Sequence, residues 1–227
     1  MLRVVAALLC ISSIASGGSV KGTVLFEGEP PTQPKLKRDV DPKCSQNRVD
    51  EAIVVQKGKL RDVLVRIKNG TTGKHEPPAT PVVFDQQDCM YTPRVVGMVA
   101  GQKLVVHNSD NTFHNVHGVI TGKDVFNKPQ GPKAPDLSLD AAAKPDDVIA
   151  MQCDVHAWMK AYAVVNDSPF FAVTGADGTF EIKDLPVGDY TLEAWHPTLG
   201  QKTMKISIGK AKRGDVTARF SYKANEM

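Results

Sequence analysis

Charge of one sign is what this chain lacks most: 28 Lys and Arg stand against 25 Asp and Glu, a formal net charge of +3 over 227 residues. No basic stripe is interleaved with aromatics, which excludes nucleic acid as an expected partner. Aromatics make up only 6% of the chain, so no platform for stacking sugars is legible. The apolar run at residues 4–11 is too short to span a bilayer, and no other segment could do so. Amphipathic helical stretches are missing. No nucleophile with a paired base and no carboxylate pair can be picked out, so an enzyme is not expected. Cysteine is sparse, at four.

What is present instead is a succession of short runs rich in Val, Ile, Thr and Phe, with Gly and Pro scattered between them as turn signals. That pattern reads as all-β, and the length suits one large β-domain or two small ones. Residues 1–17 read as an export signal. A minimal basic start ending at Arg3 precedes the apolar run, and Ser13-Ile14-Ala15 forms a small-x-small cleavage site, with cleavage after Gly17 equally compatible. Cys10 raises the question of a lipoprotein, but its neighbour is Leu9, where a lipidated cysteine follows a small residue. The expectation is a soluble mature chain exported from a bacterial cytoplasm, periplasmic or secreted.

Loss of the signal leaves Cys44, Cys89 and Cys153. An odd count in an oxidising compartment suggests one disulfide and one cysteine with another task. Cys153-Asp154-Val155-His156-Ala157-Trp158-Met159 indicates which. A thiolate, an imidazole and a thioether at Cys-x2-His-x2-Met spacing suit a soft to borderline metal, copper above all. A strand delivers the Cys, a tight loop turns over the metal, and the Met begins a return strand at residues 160–165, whose composition is β-rich. A trigonal site needs a second His from elsewhere. The turn-rich stretch 108–117 offers His114 before a β-branched segment, with His117 and His107 as competitors. With Cys153 given to copper, Cys44 and Cys89 remain to form the disulfide.

The His114-Asn115-Val116-His117 run together with the Cys-x2-His-x2-Met loop resembles the plastocyanin-like cupredoxins of the short-loop amicyanin type. The resemblance covers about residues 82–166. It implies a Greek-key β-sandwich with one copper ion, His114, Cys153 and His156 as equatorial ligands, and Met159 as a weak axial one. It also implies that the backbone of Asn115 orients the thiolate. His117 lies three residues beyond His114 and faces the other side of a strand, so it reads as a rim residue. His107 is expected to face solvent, and His75 is assigned nothing. A binuclear copper centre would need two cysteines in the loop. Structural zinc gains little from Met159, and a catalytic copper needs an open position that an axial Met closes.

The flanks differ. Residues 21–26 read as a strand followed by a turn, and Val63, Val65 and Ile67 alternate as a half-buried strand. Asp177-Gly178 turns into a strand in which Phe180 and Ile182 share a face; another turn and strand follow at 185–192. Met204, Ile206 and Ile208 alternate in a further one. The run from Asp177 through Trp195 resembles the carboxypeptidase regulatory-like (transthyretin-like) β-sandwich, with an opening strand at 22–24. This implies a sandwich split by the cupredoxin: residues 18–80, then 82–166, then 167–222, with a tail at 223–227. A continuous N-terminal extension plus a separate C-terminal sandwich is the alternative. The whole resembles exported cupredoxins described as methylamine-utilization-like, without establishing that pathway. Residues 122–145 read as a plain surface loop, with a segment folded over the site as the other reading, Trp158 as packing or part of an apolar docking patch, and His196 as polar rim. The expected function is single-electron carriage between redox proteins, donor and acceptor. Copper storage, delivery or sensing, and a carbohydrate-binding-like adhesion role, are the other classes weighed.

Overall fold

A computed structural model describes residues 17–44, 47–209 and 214–226. The export-signal reading, Cys10 included, lies outside the described residues except for Gly17. The described chain is all-β: eighteen strands form four sheets, and its short 3-10 turns lie at Pro42–Cys44 and Ala224–Glu226. None of its helices is long and apolar enough to cross a membrane.

Two sheets draw on both ends of the sequence. In one, Gly18–Glu27 pairs antiparallel with Thr179–Leu185 and Lys59–Leu60, and parallel with Val216–Lys223. In the other, the order is Phe171–Val173, Leu64–Asn69, Gly188–His196, Gly200–Ile208. Alternation explains their facing. In Thr179–Leu185, Phe180 and Ile182 are buried while Glu181 and Lys183 are exposed, as period-2 side chains on a half-covered sheet require. Val20, Val24, Phe26, Val65, Ile67, Phe180, Ile182 and Leu192 meet in one core between these sheets. Gly178, at φ 65°, occupies the turn before Thr179, and a Cβ there would lie 2.7 Å from the Val24 carbonyl oxygen.

The middle of the sequence makes the other two sheets. One runs Lys123–Gln130, His114–Ile120, Val148–Gln152, Lys160–Asn166, Val95–Val99; the other runs Leu137–Leu139, Leu104–Asn108, Val82–Gln87, Met90–Thr92. Phe84, Leu104, Val106, Val116, Ile149 and Ala163 fill the space between them, together with Cys153 and Met159.

Three expectations need correcting. Residues 122–145 are no plain surface loop: Lys123–Gln130 and Leu137–Leu139 are strands. Lys123–Gln130 is an edge strand, so Pro129 breaks no ladder on its outer side, and Lys123, Asp124, Asn127 and Lys128, which disguised it, are exposed. Leu64–Asn69 is not half-buried, because Leu64, Val65, Arg66 and Ile67 are all buried. Its second face packs on the middle sheets through Leu64, Val95 and Val164, with Tyr162, Phe171 and Trp195 around them. Arg66 enters that seam paired with Glu193 at 2.6 Å, and its other nitrogen approaches the carbonyl of Val165. His196 is not a rim residue. It is 1% exposed, its Nδ1 accepts the backbone N–H groups of Thr198 and Leu199, and burial pushes its pKa down to about 4.

Candidate metal centre

Three strand ends and one loop build the site. His114 opens the strand His114–Ile120, Cys153 follows Val148–Gln152, and the loop 153–159 returns through Met159 to Lys160–Asn166. The backbone N–H of Met159 donates to the His156 carbonyl at 2.9 Å and closes the loop tightly. His114, His156 and Met159 are 0% exposed and Cys153 is 2%.

The donor atoms of His114, Cys153 and His156 lie within 4.8 Å of one another. Nδ1 of His114 and Nδ1 of His156 are 2.9 Å apart, and Cys153 Sγ is 3.9 and 3.7 Å from them. Bonds of about 2.3 Å to sulfur and about 2.0 Å to nitrogen, at a trigonal angle, hold such a pair about 3.7 Å apart. The Asn115 backbone N–H points at Cys153 Sγ from 3.5 Å. Burial alone would push the Cys153 thiol up, but contacts with His114 and the Asn115 N–H outweigh it and lower the pKa. Met159 belongs to the same buried cluster as Cys153.

The outer nitrogens decide what the inner ones offer. Nε2 of His114 lies 2.9 Å from Asp110 Oδ2, and Nε2 of His156 lies 3.2 Å from Asp41 Oδ2. For Asp110, desolvation is outweighed by bonds from His114 and the Cys89 backbone, so its pKa falls; Asp41 is lowered chiefly by the Thr112 hydroxyl. Ionised carboxylates only accept, so each imidazole donates its Nε2–H outward. Two Nδ1 lone pairs and a sulfur then face one another in a buried space. Such a donor set is satisfied by a soft to borderline cation, so these residues fit copper.

Around this centre the structure adds partners that the sequence did not reveal. Val82–Gln87 and Met90–Thr92 are joined by Asp88-Cys89, with φ of 55° and 52°, the mirror-image turn that suits hairpin twist. Asp110 accepts both of that turn's backbone N–H groups at 2.8 Å while holding His114. Cys89 is bonded to Cys44, Cα atoms 5.6 Å apart, and Cys153 is free. Two further groups, Asp41-Cys44-His156 and Cys89-Asp110-His114, also have metal-like spacing. Their cysteines have no thiolate to give, so these groups are the outer hydrogen bonds of the same centre. Trp158 Nε1 donates to the Cys89 carbonyl, and its ring lies 5.1 Å from that of His156.

His117 faces away from the centre. Its two nitrogens lie 2.8 Å from Asp154 and Asp124, and Asp154 is held down to about 2 by His117, then Asn127 and Asn115. His107 is partly exposed and pairs with Asp136, and His75 stacks edge-on against Phe170. Proximity in sequence could have suggested Asp110, four residues before His114. Nothing near residue 156 points to Asp41.

No protein-family model matches the chain, and no curated protein matches it. Among solved structures, a purple cupredoxin from Nitrosopumilus maritimus is 18% identical, with a TM-score of 0.32, over 37% of this chain and 99% of that one. A copper(I) form of an amicyanin variant is 21% identical, with a TM-score of 0.34, over 43% and 98%. A copper-containing nitrite reductase from Thermus scotoductus is 16% identical, also at 0.34, over 63% of this chain and 28% of that one. At such scores the site's chemistry rests on its own side chains and not on these likenesses.

Proposed function

We propose that this protein holds one copper ion between His114, Cys153 and His156, with Met159 as a weak axial thioether, and carries single electrons between two redox proteins. One observation carries the reading: three buried soft and borderline donors converge within 4.8 Å, both imidazoles turning Nδ1 inward. Bound copper would supply one-electron exchange between its cuprous and cupric states. The chain's own residues supply the rest. Asn115 N–H steadies the thiolate, the burial of the four ligand side chains keeps water from them, and a site built on strand ends resists rearrangement when charge changes. Ligands exposed 2% or less are poorly placed for handing metal to another protein, which favours a carrier over a chaperone. The disulfide supports an exported, oxidising location, periplasmic or secreted.

Addition of copper(II) to the purified mature chain tests this. An intense visible thiolate-to-copper band at one copper per chain is the expected result. A colourless one-to-one complex that binds zinc equally would defeat it.

We also propose that residues 82–166 are a cupredoxin unit inserted into a regulatory-like sandwich made by 18–80 and 167–222. In support, among the described residues Gly18–Glu27 finds its long partners at Thr179–Leu185 and Val216–Lys223. Residues 18–80 expressed alone are therefore expected to be unfolded by circular dichroism. A stable, protease-resistant fragment of that span would count against the insertion.

A further inference from the structure

Asp41 lies well outside residues 82–166, yet its carboxylate reaches the centre. It precedes the 3-10 turn Pro42–Cys44, whose last residue is the disulfide partner of Cys89. Around it the chain is tied down several times. Asp41 Oδ1 accepts the Lys43 backbone N–H at 2.9 Å, Thr112 Oγ1 donates to Oδ2 at 2.6 Å, and Lys43 Nζ donates to the Asn111 carbonyl at 2.7 Å. Oδ2 is thus aimed at Nε2 of His156, a fully buried imidazole that also has the disulfide sulfur of Cys44 3.6 Å from that nitrogen.

We propose that Asp41 is a positioning residue for the metal, holding His156 as its Nε2–H tautomer with Nδ1 turned toward Cys153 and enriching that nitrogen as a donor. This rests on the copper reading above. Physically, an anion accepting the far N–H of an imidazole makes the near nitrogen more basic, and such outer partners are worth about 10- to 100-fold in metal affinity. The extra negative charge favours the more highly charged metal state. Asp110 does the same for His114, but it also holds the Asp88-Cys89 turn, so its loss would mix two effects. Asp41 separates them better.

The test compares Asp41→Asn, Asp41→Ala and Lys43→Ala in the full chain. Asn keeps an oxygen acceptor and the side-chain shape but loses the charge. Copper(II) affinity is expected to fall about tenfold relative to copper(I), which raises the reduction potential by about 59 mV. Ala removes the acceptor, so nitrogen-15 NMR of the metal-free protein should show His156 leaving the Nε2–H tautomer that the wild type and Asp41→Asn retain. Lys43→Ala removes the Nζ tie to Asn111 but leaves the Cys44–Cys89 crosslink, the residue-43 backbone N–H and the Thr112 hydroxyl that fix Asp41, and should leave potential and tautomer unchanged. Wild-type potential in Asp41→Asn together with a wild-type tautomer in Asp41→Ala would overturn the proposal, as would equal shifts in Lys43→Ala. If the wild type shows no thiolate-to-copper band, the copper reading falls. The tautomer of the metal-free protein then still decides the role of Asp41.

Discussion

Cys153→Ser is expected to abolish the visible band and the reversible one-electron wave together, while the far-ultraviolet circular dichroism stays that of a folded β-protein. Serine is nearly the same shape, so the loop 153–159 can close as before. Its hydroxyl, however, is a hard and weakly acidic donor where the site offers a sulfur whose pKa is drawn down by His114 and the Asn115 N–H. The softness that selects copper is lost with it. Residual weak binding through the two imidazoles would give pale spectra of tetragonal copper(II). His117→Ala provides the contrast, since that imidazole lies between Asp154 and Asp124 and faces away from the centre. It should leave the band in place. Visible titration with copper(II) and voltammetry of the three proteins decide the matter. A Cys153→Ser protein that keeps an intense band, or a His117→Ala protein that loses it, would mean the metal sits elsewhere.

The inner residues of this centre were legible in the sequence because the loop 153–159 is local. Cys, His and Met at that spacing need no knowledge of the fold to suggest a metal, and His114 required only a strand edge nearby. Strand faces were equally readable where one side meets water, as at Phe180 and Ile182. Legibility failed where tertiary packing overrode a local pattern. Leu64–Asn69 lies between two packed layers, so Arg66 is buried against Glu193 despite its charge. Lys123–Gln130 carries Pro and polar residues because it is an edge, and composition alone cannot separate an edge strand from a loop. His196 looked like rim because a histidine's burial depends on a backbone turn two and three residues away. Asp41 was invisible for the strongest reason: its partner lies 115 positions further along the chain. The disulfide, in contrast, followed from counting, and its consequence for the centre did not.

That consequence makes the second large effect. The double substitution Cys44→Ala with Cys89→Ala is expected to cost about 4 kcal/mol of stability. The crosslink spans 45 positions, and the chain-entropy model assigns about that much to a loop of this size. Both residues are 1% exposed, so small cavities add to the loss. Cys89 also sits at φ 52°, a conformation that costs a non-glycine residue about 1–2 kcal/mol. Without the crosslink, the two Asp110 hydrogen bonds must hold the turn. Urea denaturation of the metal-free protein measures the change in stability, since metal binding would otherwise mask part of it. The same variant frees the turn Pro42–Cys44, and with it Asp41, from its anchor over His156. Its reduction potential should therefore move upward, in the direction expected for Asp41→Asn. A loss below about 1 kcal/mol, against the 4 that loop closure predicts, would show that the Arg38 and Arg48 contacts with Asp88 already hold this segment. A large loss of stability with an unchanged potential would separate the two roles. The disulfide would then secure the fold, while the Thr112 and Lys43 contacts sufficed to keep Asp41 on His156.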